Sequence, residues 1–140
     1  MPAPKTLDAE GGCLCGAVRY RVSGAVEESG YCHCRTCQRQ SGSPVVAWFA
    51  LERSGFAYVK GNPRVYRASD HAGREFCGDC GTYIVFREDD EGQTLGVNTA
   101  TLDDPMLSPP DFHIYCESRI GWFDTDDAFA RFERGRPRDG

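Results

Sequence analysis

Eight cysteines stand in this 140-residue chain, and seven of them fall into three short clusters. Cys13 and Cys15 form C-x-C, Cys32, Cys34 and Cys37 form C-x-C-x-x-C, Cys77 and Cys80 form C-x-x-C, and Cys116 stands apart. Disulfide partners need Cβ atoms aimed at one another across a fixed gap, which C-x-C neighbours rarely achieve. Thiolates converging on a tetrahedral ion tolerate such spacings, so the pattern points to zinc. The first ten residues hold one Lys and no apolar run, which is not an export signal. A chain that starts this way is expected in the cytoplasm, where thiols stay reduced.

The length suits one domain. With 40% hydrophobic and 26% charged residues the chain is expected to be globular rather than disordered. Its formal charge of −5 offers no basic face for nucleic acid, and no run approaches the roughly 18 apolar residues of a membrane helix. Most local signals are for strands. Cys15 to Val22 alternates, with Val18, Tyr20 and Val22 opposite Arg19 and Arg21. Val45 to Leu51, Phe56 to Lys60, Val65 to Arg67, Thr82 to Arg87 and Leu95 to Thr99 are short apolar runs bounded by turn formers. The one helical turn expected follows Cys34 and stops at Gly42, while Pro105, Pro109 and Pro110 make Asp103 to Asp111 a loop. The expectation is a mainly β chain of short antiparallel strands, with a flexible start (1–10), one zinc-binding β-domain (11–130) and a mobile tail (131–140).

Small β-domains have thin cores, so a bound metal can supply stability that burial does not. Gly12 and Gly16 flank the first cluster and Gly78 and Gly81 the third, giving the tight turns that loops around an ion require. Cys13, Cys15, Cys77 and Cys80 would make a closed four-thiolate site, which is structural because no vertex is free. Cys32, Cys34 and Cys37 supply three ligands and leave a vertex for water or substrate. The spacing equally allows Cys116 to close that site, or to be a small buried hydrophobe. His33, between two ligands, is expected to be exposed or to play a supporting part.

Three segments carry a resemblance: Gly11 to Tyr20, Cys32 to Cys37 and Phe76 to Thr82, with further echoes at Thr101 to Asp104, Pro110, His113-Ile114 and Trp122. They resemble the glutathione-dependent formaldehyde-activating enzyme family, also called centromere-protein-V-like. The resemblance implies a zinc-stabilised Mss4-like (β-tent) fold with two zinc ions per chain. It implies structural ligands at Cys13, Cys15, Cys77 and Cys80, and an open catalytic site at Cys32, Cys34 and Cys37. Members often carry Arg-Lys after the third middle cysteine, where this chain has Gln38-Arg39.

The implied reaction joins glutathione, a small-molecule thiol, to formaldehyde, giving S-hydroxymethylglutathione; read backwards it is a carbon–sulfur lyase reaction. Three thiolates on a divalent ion leave one net negative charge, a poor polariser of a carbonyl. A thiol that ligates the ion must lose its proton, so holding a thiolate beside the aldehyde is the role that suits the centre. Arg39 or Arg35 is a candidate partner for a substrate carboxylate, and His33 or His113 a candidate proton shuttle. Two other readings stand beside this one. The first is a non-catalytic zinc β-domain that binds a protein partner, with Trp48, Phe49, Trp122 and Phe123 as contact candidates that are otherwise core. The second is a redox enzyme similar to B-type methionine sulfoxide reductases, with Cys116 as nucleophile.

Overall fold

The computed structural model of the chain describes residues 5–89 and 93–137. Its longest strand, β2 (Arg19–Cys32), organises the rest. The first half of β2 pairs antiparallel with β1 (Thr6–Gly12) and β4 (Phe56–Lys60). A bulge between Val26 and Glu28 then re-aims the strand. Its second half pairs antiparallel with β3 (Val46–Glu52) and parallel with β9 (Phe112–Ile114). The larger sheet continues from β3 through β8 (Thr94–Asn98), β7 (Tyr83–Glu88) and β6 (Ala72–Phe76) to β5 (Arg64–Ser69). At the other edge β10 (Ala130–Arg131) lies parallel to β9. The fold is therefore mainly β, but its sheet is mixed rather than wholly antiparallel. The proline-rich stretch returns the chain beside β2 in the same direction, so β9 pairs parallel.

One core joins the two halves. Leu7, Tyr20 and Val22 from the small sheet pack with Phe49, Leu51, Ile84, Val85 and Val97 from the large one. Tyr20 crosses that core to share a 2.7 Å hydrogen bond with Thr101. Gly11 lies opposite Tyr20 in the register, and any side chain there would strike the Tyr20 hydroxyl and the Thr101 carbonyl oxygen. The outward residues pair as their alternation predicts, Arg19 with Asp103 and Arg21 with Asp8.

The structure differs from the sequence reading at both ends. The expected flexible start already contains β1 from Thr6, and Leu7 is buried. Leu7, Ala9 and Gly11 alternate with Asp8 and Glu10, but two of the three inward residues are too small to stand out as apolar. The tail expected to be mobile is docked as far as it is described. Phe132 N–H donates to the His113 carbonyl oxygen at 2.9 Å, and Tyr115 N–H to that of Arg134 at 3.0 Å. Trp122, expected in the core, is 76% exposed, whereas Phe49 is fully buried. Among the described residues no helix is long and apolar enough to cross a membrane.

Candidate metal centres and cleft

Two loops of like construction bring the first and third cysteine clusters together. In one, Cys13 N–H donates to the Val18 carbonyl oxygen and Gly16 N–H to that of Cys13; in the other, Cys77 N–H donates to Thr82 and Gly81 N–H to Cys77. Gly16 and Gly81 close these turns at φ +82 and +83, a region open to glycine at little cost. Leu14 N–H donates to Thr82 Oγ1 at 3.1 Å and ties one loop to the other. The sulfurs of Cys13, Cys15, Cys77 and Cys80 lie within 4.8 Å of one another. Cys13 and Cys15 are 3.7 Å apart and Cys15 and Cys77 3.8 Å. Sulfurs at tetrahedral vertices around an ion bound at about 2.3 Å stand about 3.8 Å apart, so the spacing fits a metal. Backbone amides of Val18 and Asp79 also point at Cys13 and Cys77 Sγ, at 3.2 and 3.4 Å. Such donors stabilise sulfur as thiolate. All eight cysteines are free.

The middle cluster sits where β2 ends and α1 (Arg35–Ser41) begins. Cys34 is the N-cap of that helix: its sulfur accepts from Cys37 N–H at 3.3 Å, and Gly42 ends the helix at φ 70. The cap brings Cys37 back beneath Cys34, and all three sulfurs lie within 4.8 Å. Three thiols this close cannot all ionise without a cation. Hydrogen bonds from Cys32 and Cys37 draw Cys34 down to about 2. The same contacts, with burial, push Cys32 upward. That conflict is what a divalent ion relieves, so the donor set and geometry fit one. Cys116 joins neither group. It is half-buried on a separate turn, where burial raises its thiol, the opposite of what a nucleophilic cysteine needs.

Cys32, Cys34 and Cys37 line a cleft of about 560 Å³ whose walls include Trp48, Arg74, Tyr83, Tyr115 and Arg136. Tyr115 has φ 56, the one non-glycine residue in the left-handed region among those described. Such backbone strain concentrates at functional sites. Burial and the neighbouring cysteine sulfurs push its hydroxyl upward.

Of the residues singled out from sequence for charge or proton transfer, Arg35, Arg39, His33 and His113 fall outside this cleft. Arg39 is exposed in the last turn of α1, and Arg35 is exposed and bonds the Gln38 side chain at 2.6 Å. His33, expected to be exposed or supporting, is fully buried and does not line the cleft. Successive extended residues point to opposite sides, so the arrangement that aims Cys32 and Cys34 at the cleft turns His33 away. His33 Nε2 and His113 Nδ1 share a 2.8 Å hydrogen bond, and His113 Nε2 faces Asp127 at 3.3 Å and Thr125 Oγ1 at 3.1 Å. The carboxylate accepts, which assigns the His113 proton to Nε2 and the shared donor to His33. Burial, then His113, lowers the His33 pKa and keeps that ring neutral. Gln38 completes the support by donating to the His33 carbonyl oxygen at 2.7 Å. His113→Phe is expected to cost about 1–3 kcal/mol by stranding buried His33. A urea titration should show this with the metal content unchanged; an unaltered midpoint would refute the load assigned to the pair.

Arg74 and Tyr115 are the residues that sequence reasoning missed. Arg74 lies in β6, whose pattern of Ala, Gly, Arg, Glu and Phe gives no strand signal, yet four of its five residues are buried. Tyr115 could have been noticed only as a polar aromatic beside His113-Ile114.

A bent shared strand, four converging thiols at one pair of loops and three more in an open cleft define a β domain whose two cysteine groups could each hold a metal ion. The chain belongs to the glutathione-dependent formaldehyde-activating enzyme family, which it matches over residues 8–118. It is 34% identical over 77 residues to a Schizosaccharomyces pombe protein described as an uncharacterized lyase, covering 55% of this chain. The match spans 56% of that relative's length. A Rhodobacter sphaeroides protein of known crystal structure is similar at 29% identity and a TM-score of 0.54, over 67% of this chain and 87% of the other.

Proposed function

We propose that the chain is a zinc-dependent carbon–sulfur lyase acting on a thiol adduct, with glutathione and formaldehyde as its default substrates. The observation that carries this is a set of three converging cysteine sulfurs lining an open cleft. Its volume of about 560 Å³ lies within the range of small-molecule sites, roughly 300–1,000 Å³. In this reading Cys13, Cys15, Cys77 and Cys80 hold a structural zinc, and Cys32, Cys34 and Cys37 a second, catalytic one. A zinc ion bound by three cysteines supplies a soft vertex at which an incoming thiol gives up its proton. The cleft walls then bring thiol and aldehyde together, which is where most of the rate advantage arises. In the condensation a carbon–sulfur bond forms, the carbonyl π bond opens onto oxygen, and that oxygen takes a proton. Tyr115 is 38% exposed on the cleft wall and can donate it. His33 and Arg39, the sequence candidates for these tasks, are turned away from the cleft and act through the fold.

With cobalt in place of zinc, glutathione should strengthen the sulfur-to-metal charge-transfer band. An analogue with oxygen in place of sulfur should leave it unchanged. A band indifferent to saturating glutathione would overturn the thiol reading and favour a non-catalytic zinc β-domain that binds a protein partner.

A further inference from the structure

Arg74 is 7% exposed, with no carboxylate paired to it among the described residues. Its sequence neighbour Glu75 bonds Arg87 at 2.6 Å and Tyr58 at 2.7 Å instead. Arg74 Nη1 donates to Cys37 Sγ at 3.3 Å, to Gln40 Oε1 at 3.2 Å and to the Tyr83 hydroxyl at 3.2 Å. Its guanidinium carbon lies 5.4 Å from the Tyr83 ring centre and 5.1 Å from that of Phe86. Its Nε is buried with no partner. A guanidinium does not lose its charge in a protein, and a buried unpaired charge is strongly unfavourable. Among the groups to which Arg74 donates, Cys37 is the one that becomes an anion as a metal ligand.

We infer that Arg74 is the built-in counter-charge of the middle cysteine centre, positioning Cys37 and offsetting the surplus negative charge of three thiolates around a divalent ion. The inference rests on the reading of Cys32, Cys34 and Cys37 as a metal site, but not on which thiol that site accepts. Three thiolates and a divalent ion leave one negative charge, and Arg74 cancels it. An anionic sulfur entering the cleft then meets a neutral centre rather than one that repels it. The substrate class follows: soft, singly charged sulfur anions and the thiols that yield them. Arg74 acts through Cys37, so it is a positioning residue rather than a catalytic one.

The test is a double-mutant cycle on the zinc-loaded protein, using Arg74→Gln, Cys37→Ser and their combination, with Arg74→Lys as the charge-preserving control. Competition with a chelator should show Arg74→Gln weakening the middle zinc at least about 10-fold, the scale expected for partners of metal ligands. The four-cysteine site should be unaffected, and Arg74→Lys should recover most of the loss. Arg74→Gln should lower the Tm of the parent by about 5 °C, the stability equivalent of a tenfold loss of zinc affinity. It should cost little in the Cys37→Ser background, where the anion to be offset is gone. If Arg74→Gln alone does not fold, recovery of folding in the double variant supports the inference, and failure of both overturns it. Equal losses of Tm in the two backgrounds, or an unchanged middle-zinc affinity, would also overturn it, leaving Arg74 as packing against Tyr83 and Phe86. No thiol enters these measurements, so a silent cobalt band would sink the lyase reading and leave this one standing.

Discussion

Cys13→Ser and Cys80→Ser are each expected to leave the chain unfolded at room temperature, as is treatment with a strong chelator. The four sulfurs link the loop between β1 and β2 to the loop between β6 and β7, across some sixty residues of sequence. A structural zinc contributes on the order of 10 kcal/mol to folding at neutral pH. A domain of this size has a total stability of roughly 5–15 kcal/mol. Losing one ligand therefore removes most or all of the margin. Circular dichroism and one-dimensional proton spectra should show the native signals gone, with re-addition of zinc restoring the parent but not the variants. A Cys80→Ser protein that melts within a few degrees of the parent would remove the structural role.

How much of this was legible beforehand depended on whether the signal was chemical or packing-based. The cysteine clusters were legible because metal ligation constrains spacing directly, and Gly16 and Gly81 because their turns need positive φ. The helix after Cys34 was legible from the stop at Gly42, and β4 from its flanking turn residues. What escaped notice had its signal inverted. In β6, Arg74 and Glu75 are charged yet inward, each held by specific partners, so alternation could not find the strand. In the second half of β2, Glu27, Glu28, Ser29 and Gly30 mask a strand whose register shifts at the bulge after Val26. Arg39 illustrates the converse error. A basic residue two positions past a ligand looks useful in sequence, but the helix turn that folds Cys37 inward carries Arg39 outward. There it complements the helix C-terminus.

Cys34→Ser should separate stability from chemistry, with a large loss of activity and a small loss of stability. In the proposed reading Cys34 has two tasks, ligand and helix cap, and serine inherits only the second. Its hydroxyl can accept the Cys37 N–H bond that the sulfur now accepts, and serine is among the preferred N-cap residues. Alanine would lose both tasks, costing about 1 kcal/mol more for the missing cap. The cluster itself falls from three thiols to two, too few to retain zinc against a competing chelator. Zinc per chain should drop from two to one, and the melting transition should remain cooperative within a few degrees of the parent. Enzyme-dependent condensation should fall to the spontaneous rate at which formaldehyde adds to thiols. That is a loss of at least about 100-fold, since even partners of a metal ligand cost 10–100-fold. Measuring rate, stoichiometry and melting on one preparation makes the outcomes distinct. A Cys34→Ser protein that unfolds like Cys80→Ser would make the middle cluster structural. One that keeps its rate with a single zinc would move the chemistry away from the cleft.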